Sequence, residues 1–324
     1  MKSKIVLRKI ETYDPKRVEA FVRDVVDLFS SSGKGLFQSG QKVLLKPNLL
    51  RRDPPHKCVT THPVVVAAVC RVLRDCGVKQ IDIGDSPAMG SVRHVARGAG
   101  YDPLLKRYGV RVVELSNPVP LTVEANVPHL KISGDLPAYD RIVNLPKFKS
   151  HCQMTLTLGI KNLFGCVIGK RKPALHCLVK NDKIKFGGML VDIARHVNPC
   201  LTLVDGVQAM QGNGPTNGTP YPLGIMAGGQ DMTALDRTLA DIVRVPLKRV
   251  FALEAARRKK FGNYDLENIE VVGEENWQSL AVDDFRLADF ELAISFNPLH
   301  LIKSVFKHLY AIGFKEKLAR TDSV

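Results

Sequence analysis

The 324-residue chain has no Cys-x-x-Cys pair, no run of eighteen apolar residues and no apolar stretch behind its basic N-terminus. Each absence removes a class of protein. Ferredoxin-type clusters need thiolates at two-residue spacings. Here the seven cysteines (Cys58, Cys70, Cys76, Cys152, Cys166, Cys177 and Cys200) are scattered and odd in number. Without a long apolar run, no transmembrane helix is expected. Lys2, Lys4, Arg8 and Lys9 alternate with apolar residues, so no secretory leader is read there. A reduced, cytoplasmic setting follows.

Familiar catalytic and binding signatures are missing too. Neither G-x-x-x-x-G-K-[ST] nor G-x-G-x-x-G follows the first strands, so standard nucleotide loops have no support. No G-x-S-x-G serine elbow exists. Cys152 beside His151 does not make a nucleophile–base pair, because neighbours in a chain usually point apart. Aromatics make up 6% of the residues, and no nucleic-acid reading motif accompanies them, so nucleic acid is not the expected partner. No solenoid repeat is present.

What the chain does have is charge of one sign. A net charge of +15 points to acidic partners: anionic metabolites, nucleic acid or a membrane surface. Much of the excess lies at residues 244–260 and 303–320. In 299–314, Leu301, Val305 and Leu309 form an apolar stripe beside Ile302, Phe306 and Tyr310, with Lys303 and Lys307 off it. That C-terminal helix either covers its own core or makes peripheral contact with a membrane.

Apolar strands at residues 4–10, 43–46, 80–84, 110–115, 142–145, 201–204 and 223–227 alternate with helical periods. The helices are expected at 15–29, 64–76, 92–99, 189–197, 231–244 and 247–260. The first strand reads as a sheet edge, and residues 146–168 as a polar turn running into a helical segment. Alternation of this kind predicts an α/β fold, a mostly parallel sheet flanked by helices. Two lobes are expected, 1–135 and 136–324, the second ending in the basic helix.

The strand ends carry the chemistry. In open parallel sheets ligands bind beyond the carboxyl ends of the strands, and here those ends read Lys46-Pro47-Asn48, Gly84-Asp85-Ser86-Pro87, Asn144-Leu145-Pro146-Lys147 and Asp205-Gly206. One shared cleft is expected. Lys46, Lys147, Lys149 and Lys161 suit a carboxylate or phosphate. His151 is the candidate acid or base, and Asp85 and Asp205 orient groups or hold a divalent cation. Asn48, Ser86 and Asn162 join the binding set. Thr61 and His62 precede Pro63 at a helix N-terminus, which is either an anion site or a plain cap. His176 and Asp192 are the candidate metal ligands. Lys161 lies among apolar neighbours, so its ammonium is expected to be partly desolvated.

These blocks resemble a known family. Lys46-Pro47-Asn48-Leu49, Thr61-His62-Pro63, Gly84-Asp85-Ser86-Pro87, Lys147-x-Lys149-x-His151, Gly159-x-Lys161-Asn162-Leu163-Phe164-Gly165 and Asp205-Gly206 occur in the order seen in domain-of-unknown-function family 362, across about residues 43–236. Many members look like iron–sulfur proteins because they carry an appended ferredoxin module, which is missing here. A weaker similarity links Thr61-His62-Pro63 and Lys161 followed by His176 to the nickel-pincer lactate racemases. That resemblance implies a lysine tethering a pyridinium cofactor and a histidine on nickel, although His62 stands where that family has arginine. The expected function is an enzyme acting on a small anionic metabolite. The alternatives are an iron–sulfur or nickel-linked redox or racemase-type protein, and a non-enzymatic basic module for nucleic acid or membrane.

Overall fold

In the computed structural model, residues 2–30, 35–87, 90–124, 127, 130–168, 175 and 182–289 are described. Asp14 caps the first helix, α1 (Pro15–Leu28), by accepting from the Arg17 N–H at 2.8 Å, and Pro15 starts it. Its stripe of Val18, Phe21, Val22 and Val25 is buried. α2 (Pro63–Asp75) starts the same way, with His62 as cap and Pro63 at its first position.

The central sheet is built from β1 (Ser3–Lys9), β2 (Lys42–Pro47), β3 (Gln80–Asp85) and β4 (Arg111–Glu114). They are joined by β7 (Arg141–Leu145), β10 (Leu201–Gln211), β12 (Ile225–Gly229) and β13 (Ile269–Val272). A separate hairpin pairs β5 (Pro118–Pro120) with β6 (Lys131–Ser133). Across the main sheet the order is β13-β1-β12-β10-β7-β2-β3-β4. Along this order the pairings from β10 to β4 are all parallel and only β12 runs against its neighbours, while the short β11 (Thr219–Tyr221) pairs antiparallel with β10 off this path. The fold is therefore α/β with a mostly parallel sheet.

Alternation along β2 decides which residues meet which layer. Val43 and Leu45 join the core under α1 and α2, whereas Leu44 joins the opposite core. That second layer holds α5 (Gly159–Asn162), α6 (Lys183–Val197), α7 (Met232–Ile242) and α8 (Phe251–Arg258). Two short helices, α3 (Val92–Gly98) and α4 (Asp102–Tyr108), complete the first layer.

Several expectations change. The first strand is not an edge, because β13 pairs outside it. The sheet crosses the 135/136 division, since β2 pairs with β7 and β1 with β12. Residues 147–157 form a hairpin, β8 (Lys147–His151) with β9 (Thr155–Thr157), rather than a turn leading into a helix. All five β8 residues are buried, which hides the polar–apolar alternation that marks a half-buried strand. The helix that follows it, α5, is only four residues long. Residues 299–314, and with them the basic C-terminal helix, lie outside the described residues.

Candidate functional site

From β2 the chain builds outward to β3 and β4 on one side, then returns to place β7 and β10 on the other. The order thus reverses between β2 and β7, where an open α/β sheet leaves its binding crevice. A cavity of about 350 Å³ lies at these strand ends. Its wall includes Lys46 and Asn48 at the end of β2, Asp85 and Ser86 at the end of β3, Lys149 and His151 on β8, Thr157 on β9, and Lys161 and Asn162 on α5. Cys152, Gln153, Phe164, Gly165 and Pro215 add to it.

Lys46 Nζ bonds Asp85 Oδ2 at 2.9 Å, and both side chains are buried. The same carboxylate accepts from Leu49 N–H at 2.9 Å and Ser86 N–H at 2.7 Å. Its acceptor oxygens are thereby committed to the protein. Asn162 Nδ2 donates to Lys46 O and to Asn144 Oδ1, and its Oδ1 accepts from Asn48 Nδ2 at 2.8 Å. This chain of carboxamides ties α5 to the ends of β2 and β7.

Lys149 is the exceptional lysine. It has no surface open to bulk water, yet it belongs to the cavity wall. Its Nζ donates to Asn48 Oδ1 and, at 2.8 Å, to Val59 O, both neutral. Burial lowers its pKa well below the ordinary lysine range, and the nearby Lys161, Lys147 and Lys46 lower it further against the pull of Asp85. Lys161 is only half-buried, with Nζ 5.6 Å from the Phe164 ring centre. The strongly desolvated lysine is therefore Lys149, two residues before His151, because β8 is enclosed on both faces while α5 leaves Lys161 at the cavity.

His151 Nδ1 accepts from the Gln153 N–H at 3.1 Å and the Met154 N–H at 3.3 Å. A proton on Nδ1 would face two N–H donors, so the neutral ring carries its hydrogen on Nε2. Thr157 is buried in the same wall, and its hydroxyl has no hydrogen-bond partner among the described residues. Between them, Thr155 holds φ at +67°, a costly conformation for a β-branched residue. The loop after β10 packs across this hairpin. Ser150 Oγ donates to Gly212 O at 2.6 Å and Cys152 N–H to Gly214 O at 3.1 Å, which brings Pro215 to the cavity.

Lys147 and Asp205, expected in the shared cleft, are absent from its wall and form a second cluster instead. Lys147 Nζ bonds Asp205 Oδ2 at 2.9 Å and Tyr13 Oη at 2.6 Å. Tyr13 Oη donates to Asp205 Oδ1 at 2.9 Å, and its ring stacks on His62 at 3.5 Å. The His62 backbone N–H donates to Asp205 Oδ2 at 2.9 Å, so the anion at the start of α2 is the protein's own Asp205. His62 Nδ1 accepts from Val64 N–H as the helix cap, and burial pushes the ring's pKa down to about 4. Thr61 is likewise internal: its Oγ1 accepts from Asn48 N–H and donates to Leu145 O at 2.6 Å.

Behind α5, the fully buried Asp236 accepts from Gly159 N–H at 2.7 Å and Ile160 N–H at 3.0 Å. Burial raises its pKa to about 7, against these two hydrogen bonds. Asp192 is engaged elsewhere, by Lys259 Nζ at 2.9 Å and the Glu124 N–H. His176 lies outside the described residues. Among the described residues no group of three or more His, Cys, Asp or Glu is placed to hold a metal, and no described helix is long and apolar enough to cross a membrane. Sequence reading missed Tyr13, Gln153 and Pro215 at these clusters; Tyr13 and Pro215 arrive through long-range contacts, and Gln153 sits in the turn of a hairpin that the sequence did not reveal.

Fold and site together define an α/β protein with a lysine-rich crevice at its strand switch. The profile described as "Domain of unknown function (DUF362)" matches residues 43–241. The chain belongs to this family. A thylakoid-associated protein of Synechocystis sp. is 35% identical over 318 residues, 98% of each chain. The lactate racemase apoprotein from Thermoanaerobacterium thermosaccharolyticum aligns with a TM-score of 0.42 and 14% identity. That overlap covers 70% of this chain and about half (54%) of the racemase, and it bears on neither ligand nor chemistry.

Proposed function

We propose that the cavity binds a small anionic metabolite, a carboxylate or phosphate, and acts on it with His151 as a hydrogen-bond or proton donor through Nε2. The observation that carries this reading is the make-up of the wall: three lysines (Lys46, Lys149 and Lys161) line the cavity with one carboxylate, Asp85. Lysine side chains gathered around one cavity favour a carboxylate or phosphate as its occupant. Lys161 is the most exposed of the three, and the Thr157 hydroxyl, without a partner among the described residues, supplies a neutral donor in the same wall. Calorimetric titration with phosphate and with oxalate tests the reading. Binding of either anion should be lost in Lys161→Met with the unfolding midpoint retained; unchanged binding in that variant rules the assignment out.

A second reading rests on the name of the Synechocystis relative. Peripheral association with a membrane would draw on the basic segment 299–314. Co-sedimentation with vesicles containing phosphatidylglycerol, lost when residues 303–324 are deleted, is the expected result; equal binding to neutral vesicles counts against it.

A further inference from the structure

Two of the cavity lysines differ in a way that charge counting does not capture. Lys46 has its carboxylate, Asp85. Lys149 Nζ meets only two acceptors among the described residues, the Asn48 carboxamide oxygen and the Val59 carbonyl, and both are neutral. An ammonium has three N–H donors, whereas a neutral amine has two and a lone pair. Two acceptors therefore satisfy the amine and leave its third tetrahedral position to the lone pair. Neighbouring cations favour the same form, as does the absence of bulk water around Nζ. A lysine desolvated beside other cationic groups is the usual arrangement for a nucleophilic amine.

We infer that Lys149 is an amine nucleophile that forms an imine with an anionic carbonyl compound, a 2-oxo carboxylate or an aldehyde phosphate, held in this cavity. The inference rests on the anion-binding reading above and narrows its ligand to molecules with a carbonyl near the charge. Nζ adds to the carbonyl carbon, forming the C–N bond as the carbonyl π pair moves to oxygen. That oxygen then leaves as water, carrying both amine hydrogens, and a C=N bond remains. Nothing is oxidised or reduced. Lys161 and the Thr157 hydroxyl stand in the same wall for the anionic end. Nζ is closed to bulk water, so the reacting carbonyl reaches it only as neighbouring side chains of the wall turn aside.

Reductive trapping tests this on the whole protein. Wild-type protein is treated with cyanoborohydride and pyruvate, glyoxylate or glyceraldehyde 3-phosphate, and the adducts are mapped by peptide mass spectrometry. An ordinary lysine, with a pKa of about 10.4, is neutral in roughly one molecule in 2,500 at pH 7. Lys149 should therefore be modified at least about tenfold faster than any other lysine at pH 7. That lead should shrink towards pH 10, and it should vanish at that position in Lys149→Arg. Preference for pyruvate and glyoxylate assigns a 2-oxo acid; preference for the triose phosphate assigns an aldehyde phosphate. If phosphate or oxalate binds by calorimetry but Lys149 gains no advantage with any probe, the imine is overturned and the anion site stands. If neither anion binds and no selectivity is seen, both readings fall.

Discussion

A Cβ placed on Gly165 would stand 2.2 Å from Oδ1 of Asp85 and 2.5 Å from Nζ of Lys46. The buried ion pair is thus packed directly against the backbone that follows α5, and Ser86 N–H closes the contact by donating to Gly165 O at 3.1 Å. Only glycine allows that approach. Gly165→Ala should cost about 1–3 kcal/mol, the usual penalty for overpacking a dense site, and should also weaken phosphate or oxalate binding. Urea unfolding and calorimetry check the two halves; an alanine variant as stable as wild type would show that the pair has room to move.

Two lysines in the same strand should respond oppositely to the same change. Lys147→Met removes the counter-ion of Asp205 and leaves a buried carboxylate unpaired, which should cost about 3–5 kcal/mol. Lys149→Met leaves no carboxylate behind, so its unfolding free energy should stay within about 1 kcal/mol of wild type. Urea denaturation of both variants reads the contrast, and equal losses would mean that Lys149 is held as a paired ammonium.

Asp236 makes stability depend on pH. Its folded pKa, raised to about 7 by burial, lies above the unfolded value, so the folded state holds the extra proton between roughly pH 4 and 7. The contribution is fully present below pH 4 and is lost as pH rises through about 7. Between the unfolded carboxyl value and about 7 that contribution amounts to about 4 kcal/mol. Stability of wild type relative to Asp236→Asn should therefore fall across that window, read from urea midpoints at several pH values. A flat difference would show that the carboxyl titrates normally.

His62 carries the opposite sign. Burial, aided by Lys147 and opposed by Asp205, holds its folded pKa at about 4. The unfolded chain takes up the proton first, so stability is complete above about pH 6.5 and is lost as pH falls towards 4. His62→Phe keeps a ring to stack on Tyr13 but gives up the cap on Val64, for about 1 kcal/mol at any pH. Relative to wild type, the variant should gain about 2–3 kcal/mol between pH 6.5 and 4. Loss of the His62 titration from the histidine NMR spectrum would accompany it.

Local pattern alone determined much of the fold. Apolar runs at β1, β2 and β3, separated by the capped helices α1 and α2, point to a parallel sheet because short connections cannot join parallel strands. Polar strand ends at Lys46, Asp85 and Asn144 likewise marked the crevice, since carboxyl ends of such strands share one edge of the sheet. The glycine spacing around Lys161 was legible as a motif, but not its reason, which is the close approach of Gly165 to Asp85 and of Gly159 to Asp236.

Tertiary structure alone decided the charge partners. Sequence presents Lys147, Lys149 and Lys161 as equivalents, and burial of β8 is invisible to it because lysines in a fully enclosed strand mimic a polar turn. Pairing across the sheet assigns Asp205 to Lys147 and Asp85 to Lys46, from residues 58 and 39 positions away. Lys149 is left facing the amide oxygen of Asn48. Which ammonium finds a carboxylate depends on distances of a few ångströms between strands, and a one-dimensional pattern does not contain those distances.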